Sequence, residues 1–114
     1  MRNVPPFEFV QQNRHIRMCL PDAQDHIQQQ IRRHARFYEQ PMLDEVAPRL
    51  PENALVVDVG ANIGNHTVYF TKLLGLKVIA VEPNPPAIRL LQQNINLNEI
   101  HDLGKVCITC GLDR

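Results

Sequence analysis

With 114 residues, the chain holds one domain at most. Its 12 Lys plus Arg balance 12 Asp plus Glu, and a formal net charge of zero argues against a protein whose main task is to grip phosphate backbones. No apolar run approaches the roughly 20 residues of a bilayer-spanning helix, and MRNVPPFEFVQQNR lacks the apolar core of a secretory signal, so the cytoplasm is the simplest address.

In chain order, FEFV (7–10) and HIRMCL (15–20) flank QQNR and predict a small hairpin. Pro21-Asp22 then predicts a helix start with Asp22 as N-cap, and Ile27, Ile31, Ala35 and Tyr38 recur at helical spacing. Arg32, Arg33, His34 and Arg36 form the only dense basic run and are read as the solvated face of that helix. A shorter helix covers about Met42 to Ala47, ending near Pro48, and Pro51-Glu52-Asn53 reads as a turn.

The character then changes. ALVVDV (54–59) is a continuous β-rich run, the pattern of a strand buried on both faces. GANIGN is a loop, HTVYFTKLL a helix, and Gly75 its stop. KVIAVE (77–82) is a second buried strand, and Asn84 can cap a further helix whose first position is Pro85. Ile88, Leu91 and Ile95 stripe that helix, Asn98 ends it, and KVCITC (105–110) is a third strand. Strand, helix, strand, helix, strand with crossovers of this length predicts a parallel α/β sheet built from right-handed βαβ units.

Cysteine usage adds little chemistry. Three cysteines are no disulfide framework. Cys107 and Cys110 form a CxxC, but it lacks the second ligand pair of a zinc site and lies within a strand, so strand packing is the preferred reading. His15, His26, His34, His66 and His101 are scattered without ligand spacing, and no metal site is expected.

In open α/β sheets, ligands bind outside the carboxyl ends of the strands, and three features fall there. Gly60 permits a backbone conformation closed to other residues and a close ligand approach, and Gly64 permits tight packing where the helix starts. A tight turn with no ligand is the alternative. Asp58 precedes the loop where a dinucleotide fold would bring a pyrophosphate. Its charge repels phosphate and attracts an ammonium group, unless it merely caps the loop. Glu82 ends the second strand, where a carboxylate can accept from both hydroxyls of a ribose. Together these features ask for a ribose with an amine-bearing tail, and S-adenosylmethionine fits.

VVDVGANIGNHTVYF followed by VEPNPPAIRLLQQNINLN resembles the FkbM family of S-adenosylmethionine-dependent methyltransferases, as does the upstream DAQDHIQQQIRRHARFYEQPMLDEVAPRL. The resemblance runs from about Asp22 and implies a Rossmann-like class I methyltransferase fold. It makes Asp58, Gly60, Ala61, Asn62, Gly64, Glu82, Pro83 and Asn84 cofactor-contact positions, the last two shaping the turn around ribose and adenine. It implies O-methylation of a small molecule or sugar, while the balanced charge and the lack of a spanning run lead us to expect neither nucleic acid nor a membrane as partner. His66 stands where the family pattern has an aromatic, and is read as a neutral substitute rather than a catalytic base. Asn84-Pro85-Pro86 is not the motif of amino-group methyltransferases of DNA: it follows the second strand and ends in Ala87.

By this resemblance, residues 1–52 are a hairpin and helical lead-in, and 53–114 the N-terminal half of the methyltransferase domain. A family sheet has about seven strands. Three are expected here, so an incomplete domain is expected, with Asp113 near the turn towards adenine and no identifiable general base. The alternative function is an inactive fragment that only binds S-adenosylmethionine or a partner protein. A nucleotide-dependent oxidoreductase is a third reading, disfavoured by Asp58 and the G-A-N-I-G loop.

Overall fold

The computed structural model describes residues 5–100 and 105–110, so His101 and Asp113 lie outside the described residues. Strands β1 (Phe7–Gln11) and β2 (Arg14–Met18) form the expected antiparallel hairpin, with Phe9 opposite Ile16. Gln12 and Asn13 turn the corner at positive φ, 52° and 62°, the backbone twist that suits a two-residue hairpin loop.

Helix α1 (His26–His34) starts later than the sequence suggested. Asp25, not Asp22, is its N-cap and accepts from the Gln28 N–H at 2.9 Å. Asp22 forms the preceding turn instead, its Oδ1 accepting from the Gln24 N–H at 2.9 Å. The helix also ends early. Ala35 takes a left-handed C-cap conformation, so Ala35 and Tyr38 lie beyond it. Arg33, His34 and Arg36 are exposed, as a solvated face should be, but the Arg32 guanidinium is engaged: it donates to the Leu20 carbonyl at 2.9 Å and lies 5.5 Å from the Phe7 ring centroid. Helix α2 (Gln40–Val46) begins two residues before Met42, with Pro41 in its first turn, and a 3-10 turn (Ala47–Arg49) carries the chain through Pro48.

The second sheet holds β3 (Leu55–Val59), β4 (Lys77–Val81) and β5 (Val106–Thr109), parallel and in that spatial order. Between β3 and β4 run α3 (Asn65–Val68) and a π-helical turn (Tyr69–Leu73), closed at Gly75 with φ +69°. Helix α4 (Pro85–Leu97) connects β4 to β5 and is capped at Asn98. Asn84 occupies its N-cap position, but the side chain makes no capping hydrogen bond.

One strand expectation fails. β3 is covered on one face only: Leu55, Val57 and Val59 are 60, 54 and 76% exposed, while Asp58 is buried. The cause is topological. Two crossovers that step the same way along a sheet lay their helices on the same face. Cys107 shares the bare face with Val57 and Ile79 and is exposed, so it is not packed as a strand residue should be.

The core runs continuously from the hairpin into the parallel sheet. Phe9, Phe37, Tyr69 and Phe70 meet edge to face in a chain, with ring centroids 5.2, 5.4 and 5.5 Å apart. Two buried asparagines of α4 and its cap join the seam. Asn94 accepts from the Cys19 N–H at 2.6 Å and donates to the Ile63 carbonyl at 2.8 Å, while Asn98 exchanges two hydrogen bonds with the Arg17 backbone. Buried amides with all partners satisfied fix one docking geometry for the lead-in. Among the described residues no helix is long and apolar enough to cross a membrane.

Candidate functional site

β3 delivers Asp58 and the glycine loop to the carboxyl edge of the sheet, and β4 delivers Glu82, Pro83 and Asn84 beside them. The loop folds across the end of β4: the N–H groups of Gly60 and Ala61 both donate to the Val81 carbonyl, at 2.8 and 3.0 Å. Gly60 has φ +73°, and a Cβ there would meet nothing within 4 Å, so this side of the loop is open to a ligand. Gly64 answers to packing. At φ +99°, an added Cβ would lie 2.8 Å from Leu91 Cδ1, which is the tight helix contact expected of it. Ala61 is buried and Asn62 half-buried at φ 53°.

Glu82 ties the two loops together. Its Oε1 accepts from the Asn62 N–H at 2.7 Å and its Oε2 from the Asn84 N–H at 3.0 Å. Those bonds explain why a carboxylate only 7% exposed is tolerated. Each oxygen keeps a further lone pair, enough for two ligand hydroxyls. Pro83 and Asn84 themselves are exposed and form the rim. Asp58 is 8% exposed, and its Oδ2 accepts from the Thr67 hydroxyl at 2.6 Å. Thr67 was not singled out from the sequence: a threonine one turn into a helix carries no distinctive signal. It orients Asp58, because its own hydroxyl is fully buried.

Two anchored carboxylates beside an open glycine loop can take a ligand bearing several hydrogen-bond donors and a positive charge. This donor demand fits the ribose diol and ammonium of S-adenosylmethionine and does not fit a pyrophosphate. Among the described residues, no group of three or more His, Cys, Asp or Glu could hold a metal ion.

His66 lies in the first turn of α3, two residues past Gly64, with 32% of its side chain exposed. Its Nε2 is buried without a hydrogen-bond partner among the described residues and stands 3.4 Å from Glu39 Oε1. Glu39, at the start of α2, was likewise silent in the sequence.

Residues 39–109, well over half of the chain, match the TRM5/TYW2 methyltransferase domain. Methyltransferase sdnD of Sordaria araneosa is 39% identical over 64 residues, covering 55% of this chain and 24% of that protein. Methyltransferase 1 of Beauveria bassiana is 35% identical over 71 residues, 61% of this chain and 27% of its own length. A third match, 40% identical over 63 residues, covers 51% of this chain and 3% of the AMB antimetabolite synthetase AmbE of Pseudomonas aeruginosa. The chain thus spans about a quarter of the two curated methyltransferases. The fold is similar to that of M. jannaschii TYW2, crystallised in complex with AdoMet: TM-score 0.59 at 21% identity, covering 95% of this chain and 44% of that one. P. horikoshii TYW2, in complex with MeSAdo, gives 0.58 at 20% identity, covering 92% and 35%. The parallel sheet is therefore of the Rossmann-like methyltransferase type, and the chain belongs to the TRM5/TYW2 methyltransferase domain family.

Proposed function

We propose that the chain is the S-adenosylmethionine-binding part of a cytoplasmic methyltransferase that methylates an oxygen of a small molecule or sugar. The observation that carries the cofactor reading is Glu82, whose carboxylate ties both ligand loops and keeps lone pairs free at the strand edge. Glu82 holds the ribose, Asp58 faces the methionine amine, the Gly60–Gly64 loop lies along the tail, and Pro83 and Asn84 border the adenine. When bound, the cofactor supplies an electrophilic methyl group on a sulfonium. The chain orients it and keeps its charge beside fixed dipoles rather than mobile water.

The acceptor class rests on the sequence resemblance to the FkbM family. The names of the two curated methyltransferases give methyl transfer and no acceptor. One observation favours the second reading, a binding module without catalysis: the exposed apolar face of Leu55, Val57 and Val59 suits contact with another polypeptide.

The amine assignment has a direct test. Asp58→Asn should weaken S-adenosylhomocysteine, which keeps the amine, by about tenfold or more, and leave methylthioadenosine, which lacks it, nearly unchanged. Calorimetric titration of both ligands decides it, and an equal loss for both would remove the amine from Asp58.

A further inference from the structure

The strongest unassigned feature is the pair Glu39 and His66. Three observations meet there. The imidazole Nε2 is buried and unsatisfied, and it faces a carboxylate oxygen at 3.4 Å without hydrogen-bond alignment. A buried polar atom left without a partner is uncommon and calls for an explanation. Glu39 holds φ 58° as the left-handed N-cap of α2, which fixes where its side chain leaves the backbone. The segment carrying Glu39 is clamped to the start of α3: the Tyr38 N–H donates to Asn65 Oδ1 at 2.8 Å, and Asn65 Nδ2 donates to the Tyr38 carbonyl at 2.9 Å. Gln40 adds a second brace, accepting from the Phe37 N–H at 3.0 Å.

The clamp brings Glu39 to His66 and brings both to the residues that follow the cofactor loop. Nε2 is sealed beside Glu39 while 32% of the side chain stays exposed, which leaves Nδ1 as the nitrogen to offer a substrate. A carboxylate facing Nε2 holds the proton there and leaves the Nδ1 lone pair free, which is how an acid orients a histidine base. Apo geometry of such pairs is commonly loose and tightens with ligand.

Resting on the cofactor reading above, we infer that Glu39 and His66 are the proton-accepting pair for methyl transfer, with His66 Nδ1 as the base and Glu39 as its positioning residue. The acceptor's hydroxyl proton passes to Nδ1 and the oxygen lone pair forms the new bond to the methyl carbon. The carbon–sulfur bond breaks with its electrons returning to sulfur, leaving a neutral thioether. The imidazolium then releases its proton to water. His66 is thus not a passive replacement for an aromatic side chain.

The test needs no acceptor. The chain is incubated with an adenosine bearing an aziridine in place of the sulfonium, an electrophile delivered to the methyl position. Adducts are located by peptide mass spectrometry, and S-adenosylhomocysteine binding is measured on the same samples. An adduct at His66, suppressed by S-adenosylhomocysteine and absent in His66→Asn, supports the pair. Glu39→Ala should lower the labelling rate about tenfold while S-adenosylhomocysteine affinity stays within twofold of the parent, a split that loss of structure would not give. Binding without an adduct at His66 overturns the pair and leaves the cofactor reading standing. Failure of a folded chain to bind S-adenosylhomocysteine overturns both.

Discussion

Replacing Glu82 with alanine should weaken S-adenosylhomocysteine binding by roughly 2–3 kcal/mol, on the scale of a lost bidentate charged contact. Direct contact is half of the argument. The carboxylate also gathers the Asn62 and Asn84 N–H groups, so its removal leaves two loop donors without their acceptor and lets the ligand-facing loops part. Glu82→Gln should not rescue the affinity. An amide presents one acceptor and one donor, and its NH2 would oppose a backbone N–H. Both variants should remain folded, because Gly60 and Ala61 still bond to the end of β4. Calorimetry with S-adenosylhomocysteine checks this, and wild-type affinity in a folded Glu82→Ala protein would place Glu82 outside the site.

The largest effect on stability should come from Tyr69→Ala, at about 3–5 kcal/mol. Tyr69 has no solvent exposure, packs edge to face on Phe37 and Phe70, and donates its hydroxyl to Asp44 Oδ1 at 2.7 Å. It joins the hairpin side of the core to the sheet side, so the cavity would open at the seam. Tyr69→Phe keeps the ring and loses one hydrogen bond to a charged acceptor, and should cost about 1.5–3 kcal/mol. The hydroxyl also gives the protein a pH dependence. Burial, then the hydrogen bond to Asp44 and its negative charge, push the Tyr69 pKa upward in the folded state. Stability from this group is complete below the unfolded value of about 10 and falls as pH rises from there through the folded value. Denaturant titrations across that range should show a steeper alkaline loss for the parent than for Tyr69→Phe. Parallel curves would contradict this account of the hydroxyl.

The backbone geometry of the candidate loop was partly legible in the sequence. Gly60 and Gly64 are required by positive φ and by the approach of Leu91, and Asp58 and Glu82 interrupt otherwise apolar strand ends. That β3, β4 and β5 run parallel followed from strand and helix spacing alone. What sequence reading missed was set partly by competition between neighbouring residues and partly by tertiary partners. The α1 boundary shifted because Asp25, rather than Asp22, could reach the Gln28 N–H. The bare face of β3 is invisible in ALVVDV, since an apolar run does not say which face the neighbouring elements cover. Thr67, Asn65 and Glu39 owe their roles to residues nine to twenty-seven positions away, a separation that carries no local pattern.

The central claim, that the glycine loop and Glu82 form a working S-adenosylmethionine site in this chain, is tested most directly by titrating the purified protein with S-adenosylhomocysteine in a calorimeter, with circular dichroism on the same sample. The account predicts saturable binding at one site per chain by a folded α/β protein. A folded protein that releases no heat of binding at any ligand concentration, while a related methyltransferase does so under the same conditions, would contradict it.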